Sequence, residues 1–164
     1  ELDGLRALFK VHHDGQNVWI VGAEGAVIVG DGVSFEPVSS GITIDISTVH
    51  SRGDGEVVMV GGLSMGVVLT GTREGGIQQI ANTPARLFGV HVMDGGDVVI
   101  AGVNGYIGHF HLDDKEVEPL PSPTDQVLHG VFGQSGETLY SVGGNLGGMT
   151  QDFVGVVLTA KAPK

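Results

Sequence analysis

Four stretches of this chain carry one pattern: LFKVHHDGQNVWIVGAEG (8 to 25), ISTVHSRGDGEVVMVGG (46 to 62), LFGVHVMDGGDVVIAGVNG (87 to 105) and LHGVFGQSGETLYSVGG (128 to 144). In each, an apolar residue is followed three positions later by valine, then by a glycine-rich turn, an apolar run and a glycine. The valines are Val11, Val49, Val90 and Val131, spaced 38, 41 and 41 residues apart. A unit that recurs at a fixed period cannot bury its apolar surface alone and must stack on its neighbours. A period near 40 residues is that of a four-stranded β-propeller blade.

The remainder of each period reads as three further strands. The runs VWIV, VVMV, VVIA and TLYSV are β-branched or aromatic, too short for buried helices, and bounded by glycine, so they are second strands. AVIV, GVVLT, YIGHF and a second GVVLT at 155 to 159 follow as third strands. FEPV (35 to 38), IQQI (77 to 80) and VEPL (117 to 120) are fourth strands, and the proline in two of them suits an outer edge. The fourth copy has no such segment. The expected fold is therefore all-β, a propeller of four-stranded antiparallel blades with four repeats in this chain, at about 1–38, 39–80, 81–120 and 121–164. The chain would be an excerpt of a larger ring or one chain of it, completed by a second copy or by further blades. Twenty-nine glycines at turn spacings leave no window for a helix of consequence.

Composition narrows the function classes. With 41% hydrophobic and only 16% charged residues, the chain is expected to be globular. Its formal charge of −11 repels phosphate backbones, so nucleic acid is not an expected partner. No apolar run approaches the roughly 18 residues that span a bilayer, and no signal peptide begins at Glu1. Cysteine is absent, which excludes a disulfide framework, a thiolate metal site and a thiol nucleophile, and leaves the compartment open; secretion or a periplasmic location is compatible.

The segment GAVIVGDGVSFEPVSSG (25 to 41) resembles the Asp-box of bacterial-neuraminidase-type repeats, with Asp31, Gly32 and Phe35 in the places of its aspartate, glycine and aromatic residue. The preceding residues 8 to 29 are similar to the repeats of photosystem II assembly and stability factors and of their uncharacterised bacterial relatives. The resemblance implies a propeller and leaves function open, because such repeats are structural devices in very different proteins. A hydrolase of the Asp-box class would need an arginine triad and a tyrosine nucleophile. Arg6, Arg52, Arg73 and Arg86 are scattered, and Tyr106 and Tyr140 fall inside expected strands.

Three candidate sites remain. His12, His50 and His91 directly follow the repeat valine, and the fourth copy has Phe132 there. If that position converges on a propeller channel, three neutral imidazoles form a ligand set for copper, zinc or iron. The alternative is a repeated, half-buried histidine hydrogen-bonded beside the turn. His109 and His111 share one face of a third strand. The loops between second and third strands are expected on the same side as the entry to each innermost strand. Two of these loops are enlarged, GGLSMG (61 to 66) and GGNLGGMTQDFVG (143 to 155), carrying Met65, Leu146, Met149 and Phe153 either as contact residues for a protein or small-molecule partner or as side chains folded back over the blade tops. Those loops make a non-catalytic binding or assembly scaffold the leading expectation. Arg52-Gly53-Asp54, an adhesion-type tripeptide, occupies the hairpin turn of the second copy and is explained by turn chemistry.

Overall fold

The computed structural model describes residues 6–134, 136–145 and 154–162. Strand follows strand in antiparallel meanders. The first sheet is β1 (Leu8–His13), β2 (Val18–Gly22), β3 (Val27–Gly30) and β4 (Phe35–Pro37); the second is β5 (Ile46–Ser51), β6 (Val57–Gly62), β7 (Gly66–Thr72) and β8 (Gly76–Thr83). The third is β9 (Leu87–Val92), β10 (Asp97–Gly102), β11 (Ile107–His111) and β12 (Glu118–Leu120). The fourth has three strands, β13 (Leu128–Phe132), β14 (Thr138–Asn145) and β15 (Val154–Lys161). The chain divides into two units, Glu1–Arg86 with the first two sheets and Leu87–Lys164 with the other two. Among the described residues, helix is confined to single 3-10 turns at Ala23–Gly25 and Val103–Gly105, and no helix is long and apolar enough to cross a membrane.

The expected strands all form, with shifted ends. β8 starts one residue before IQQI and runs three residues past it, and β15 extends beyond GVVLT, because pairing with a long neighbour carries a strand on through residues of modest β propensity.

Strand alternation decides which face of a sheet is covered. In the first sheet, His12, Trp19 and Val29 lie opposite one another across three strands, and Val11, Ile20 and Ile28 fall on the other face. In the second, Val49, Met59 and Leu69 form one such row. Trp19, Val21, Val27 and Val29 pack on Ile46, Val49, Val57, Met59, Val67 and Leu69 to form the core of the first unit. The second unit repeats the scheme with Val99, Ala101 and Ile107 against Leu128 and Leu139. Thus, within each unit, Val49 and Val131 face back toward the preceding sheet, and His12 and His91 face on toward the next.

Each innermost strand enters its sheet through a register shift, between Leu8 and Lys10, Ile46 and Thr48, Leu87 and Gly89, and Leu128 and Gly130. Beside the shift, the glycine near the end of the second strand lies against the incoming backbone. A Cβ on Gly22 would stand 2.1 Å from the Ala7 carbonyl oxygen, on Gly61 2.0 Å from that of Asp45, and on Gly143 1.9 Å from that of Val127. Only glycine fits this approach.

The hairpin holding Arg52-Gly53-Asp54 is a turn closed on itself. Gly53 has φ +95°, Arg52 Nε pairs with Asp54 Oδ2, and Asp54 Oδ1 accepts the Glu56 N–H. Its geometry accounts for the glycine and both charges.

Gly61→Ala is expected to lower the unfolding free energy by about 1–3 kcal/mol, since backbone must move to admit the methyl group. Gly155→Ala, which meets no atom within 4 Å, is expected to stay within about 0.5 kcal/mol of wild type. Urea denaturation of the two variants measures the difference.

Candidate functional site

The turns between second and third strands lie against the start of the innermost strand of their own sheet. Ala23 N–H donates to the Ala7 carbonyl at 2.8 Å, Gly62 N–H to Asp45 at 2.9 Å and Gly144 N–H to Val127 at 2.8 Å. The expected grouping of loops and strand entries on one side of each sheet is therefore present. In the first and third sheets the turn takes one conformation, with Glu24 and Asn104 at φ near +55° and Gly25 and Gly105 also at positive φ. The second sheet, where GGLSMG was expected to form an enlarged loop, instead has a tighter turn, because β6 and β7 pair through to Gly62 and Gly66 and Leu63 N–H donates to the Met65 carbonyl at 3.1 Å.

That tight turn leaves its side chains in solvent. Met65 is exposed and not folded back, and so is Leu63 two residues before it. Leu63 was not singled out from the sequence, although it stands in the same GGLSMG stretch and carries the same signal. Ionic groups flank this end of the first unit. Asp45, whose backbone carbonyl holds the turn, accepts the Glu24 N–H through Oδ1 at 3.2 Å and pairs through Oδ2 with Arg86 at 3.3 Å. Arg6 pairs with Glu24 at 2.9 Å. The result is an apolar pair on a charged border. Leu146, Met149 and Phe153 lie outside the described residues.

The opposite turns of the first unit are built around two carboxylates, buried Asp14 and exposed Asp31. Asp14 is fully buried, and its Oδ1 accepts the N–H groups of Gln16 and Asn17 while Oδ2 accepts the Trp19 indole N–H at 2.6 Å. Burial alone would raise its carboxyl pKa, but these donors outweigh that and hold it below the ordinary carboxylate range. Asp31, in the Asp-box-like turn, accepts the N–H groups of Ser34 at 2.8 Å and Val33 at 2.9 Å; these bonds hold its pKa low, and Gly32 follows at φ +90°. Both aspartates are thereby committed to turn structure.

The histidine row also has specific partners. The His12 ring lies 4.8 Å from the His50 ring, and its Nε2 accepts the Ser51 N–H at 3.1 Å beside the Ser51 hydroxyl. In the second unit the His91 ring lies 4.8 Å from Phe132, and its Nε2 donates to the Gly133 carbonyl at 2.9 Å. The two contacts are equivalent by repeat position. In each, a ring on one sheet packs on the matching ring of the next and bonds the backbone one residue beyond it. His109 bonds Asp97 at 3.0 Å, and His111 bonds the Gly95 carbonyl at 2.9 Å. Among the described residues, no three His, Asp or Glu side chains are grouped as a metal-binding set.

Burial lowers the pKa of both His12 and His91, against the raising influence of Asp14 on the first and of the Gly133 hydrogen bond on the second. Lys10 and His13 also lower that of His12. A folded-state pKa below the ordinary value near 6.5 means that the unfolded chain takes up the proton more readily. Stability is then complete above about pH 6.5 and declines as pH falls below it. Protonation of His12 would also remove the acceptor of the Ser51 N–H. The melting temperature is expected to be lower at pH 5.5 than at 7.5, and the difference to shrink in the His12→Phe/His91→Phe double variant; scanning calorimetry at the two pH values checks both.

No family model and no curated relative matches the sequence. Solved structures do match. The tricorn protease is similar at 14% identity and a TM-score of 0.68 over 98% of this chain and 17% of that one. The WD40 β-propeller domain of Doa1 is similar at 9% identity and a TM-score of 0.64 over 82% and 46%. A chain from the S. cerevisiae complex of Dbp5 bound to Nup159, Gle1, IP6 and ADP is similar at 14% identity and a TM-score of 0.62 over 96% and 45%. The fold is that of the β-propeller. This chain spans less than half the length of each of these structures.

Proposed function

We propose that this chain is a non-catalytic binding scaffold that engages a polypeptide partner through the loops at the entry side of its sheets. The observation that carries the reading is the exposed pair Leu63 and Met65, on a turn whose backbone is held by Gly62–Asp45 and Leu63–Met65 hydrogen bonds. Apolar side chains on a fixed turn add nothing to the core, whereas against a partner each removes roughly 1.5–3 kcal/mol worth of apolar surface from water. Methionine adapts to irregular surfaces, and the border of Arg6, Glu24, Asp45 and Arg86 supplies charges that orient a partner rather than hold it. A propeller-like chain in the complex of Dbp5 with Nup159 and Gle1 offers a structural precedent for a scaffold role. Asp31, which caps its turn as an Asp-box aspartate does, supports descent from an Asp-box-type repeat.

The test is affinity capture with immobilised chain, comparing wild type with Leu63→Ser/Met65→Ser. Because both side chains are exposed, the double variant should melt within a few degrees of wild type. Partners retained by wild type and lost at least tenfold from the variant support the reading; identical capture by both overturns it.

A further inference from the structure

The outermost strand of a sheet turns half of its backbone donors and acceptors away from its neighbour, and proteins guard such edges with charge, proline or brevity. The first and third sheets follow this rule. β4 is three residues long and carries Glu36 and Pro37; β12 is three residues long and carries Glu118 and Pro119. β8 breaks it. It is the edge of the second sheet, eight residues long, and its sequence GIQQIANT has neither charge nor proline. β9 follows it in the chain and opens the next sheet, so β8 is the last strand of its own.

The edge is held in place from within. Ile77 packs on the core of the first unit, and Gln79 Nε2 donates to Asn82 Oδ1 at 2.9 Å. From 76 to 79 the pairing with 72 to 69 is regular; Ile80 then has no partner on β7, and pairing resumes at Ala81. Among the described residues, the backbone of β8 pairs with β7 alone. Gln78 and Gln79 are exposed. Backbone groups of successive residues alternate between the two sides of a strand, so one of these two glutamines directs its N–H and C=O outward.

We infer that β8 is a docking edge for an extended, cationic segment of another polypeptide, which adds to the second sheet as a fifth strand. Extended backbone is the chemistry that matches a row of amide donors and carbonyl acceptors at strand spacing. Charge selects among extended segments. The chain carries −11, and Glu74 is exposed at the turn leading into β8, so a basic segment is drawn to this edge and an acidic one repelled. The same charge opposes a second copy of this chain. The interruption at Ile80 also lies near the middle of β8, where two copies of the strand would cross in a two-fold pairing. A short segment needs only the regular stretch from 76 to 79. This edge is a different surface from the turn of Leu63 and Met65, and the inference is independent of the loop reading above.

The probe is a synthetic peptide of alternating threonine and valine flanked by lysines, added to isotope-labelled full chain. Amide hydrogen exchange read by NMR should slow at least tenfold at whichever of Gln78 and Gln79 turns its N–H outward. The same peptide with its backbone nitrogens methylated, which can no longer donate, should bind at least tenfold more weakly, and so should one with glutamates in place of the lysines. Leu63→Ser/Met65→Ser should bind the peptide as wild type does, so failure of the loop reading leaves this result standing. Absence of binding at about 1 mM peptide overturns the inference. So does binding that leaves exchange along β8 unchanged, or equal binding by the methylated or the glutamate peptide. A β8 edge protected without peptide in a chain that sediments as a dimer also overturns it, since a second copy would then be the occupant.

Discussion

Everything in this protein depends on covering the faces of its sheets. A four-stranded sheet made of VWIV, VVMV or VVIA presents apolar side chains on both sides, because its strands alternate valine and isoleucine with more of the same. One sheet on another is what removes them from water. Complete burial of a valine, leucine or methionine contributes roughly 1.5–3 kcal/mol, and each inter-sheet core holds several. The ion pairs at the surface, such as Arg73 with Glu36, contribute about 0–1 kcal/mol apiece. Charge decorates this architecture and apolar contact makes it.

The inter-sheet contact also dictates its own polar seam. Where the innermost strand comes close to its neighbour, a ring and a backbone group are within reach of each other, and a neutral imidazole satisfies both. His12 offers a face to His50 and an acceptor to Ser51, while His91 offers a face to Phe132 and a donor to Gly133. The two use opposite hydrogen-bonding roles of the same nitrogen. That freedom of tautomer explains why histidine recurs at a position facing different neighbours.

Much of this was legible in the sequence, and the limits are physical. Period and alternation revealed the sheets, because Val11, Val49, Val90 and Val131 recur with glycines at both ends of the following strand. The same alignment revealed that His12, His50 and His91 are equivalent. It could not reveal what each touches, since equivalence fixes a position on a strand and the contact depends on the next sheet. The bonds to Ser51 and Gly133 became visible only with that sheet in place. The glycines at 22, 61 and 143 read as turn formers, yet their role is close approach to a carbonyl, a requirement set by a strand that enters from elsewhere in the chain. Strand ends escaped for a related reason: the length of β8 follows from β7 rather than from its own residues.

The loops stand apart because their backbone requirements are met locally. Ala23, Gly62 and Gly144 all bond the strand entry in the same way although the sequences after them differ, and AEG and VNG adopt one turn. Once glycine and left-handed residues fix the path, exposed apolar side chains on these turns, such as Leu63 and Met65, stay out of the core. Selection can then alter them without cost to the fold, as it cannot at Trp19 or Met59. Leu63 and Met65 are informative for that reason. On a sheet their hydrophobicity would be explained by the core, but on an exposed turn it is the feature on which the proposed binding role rests.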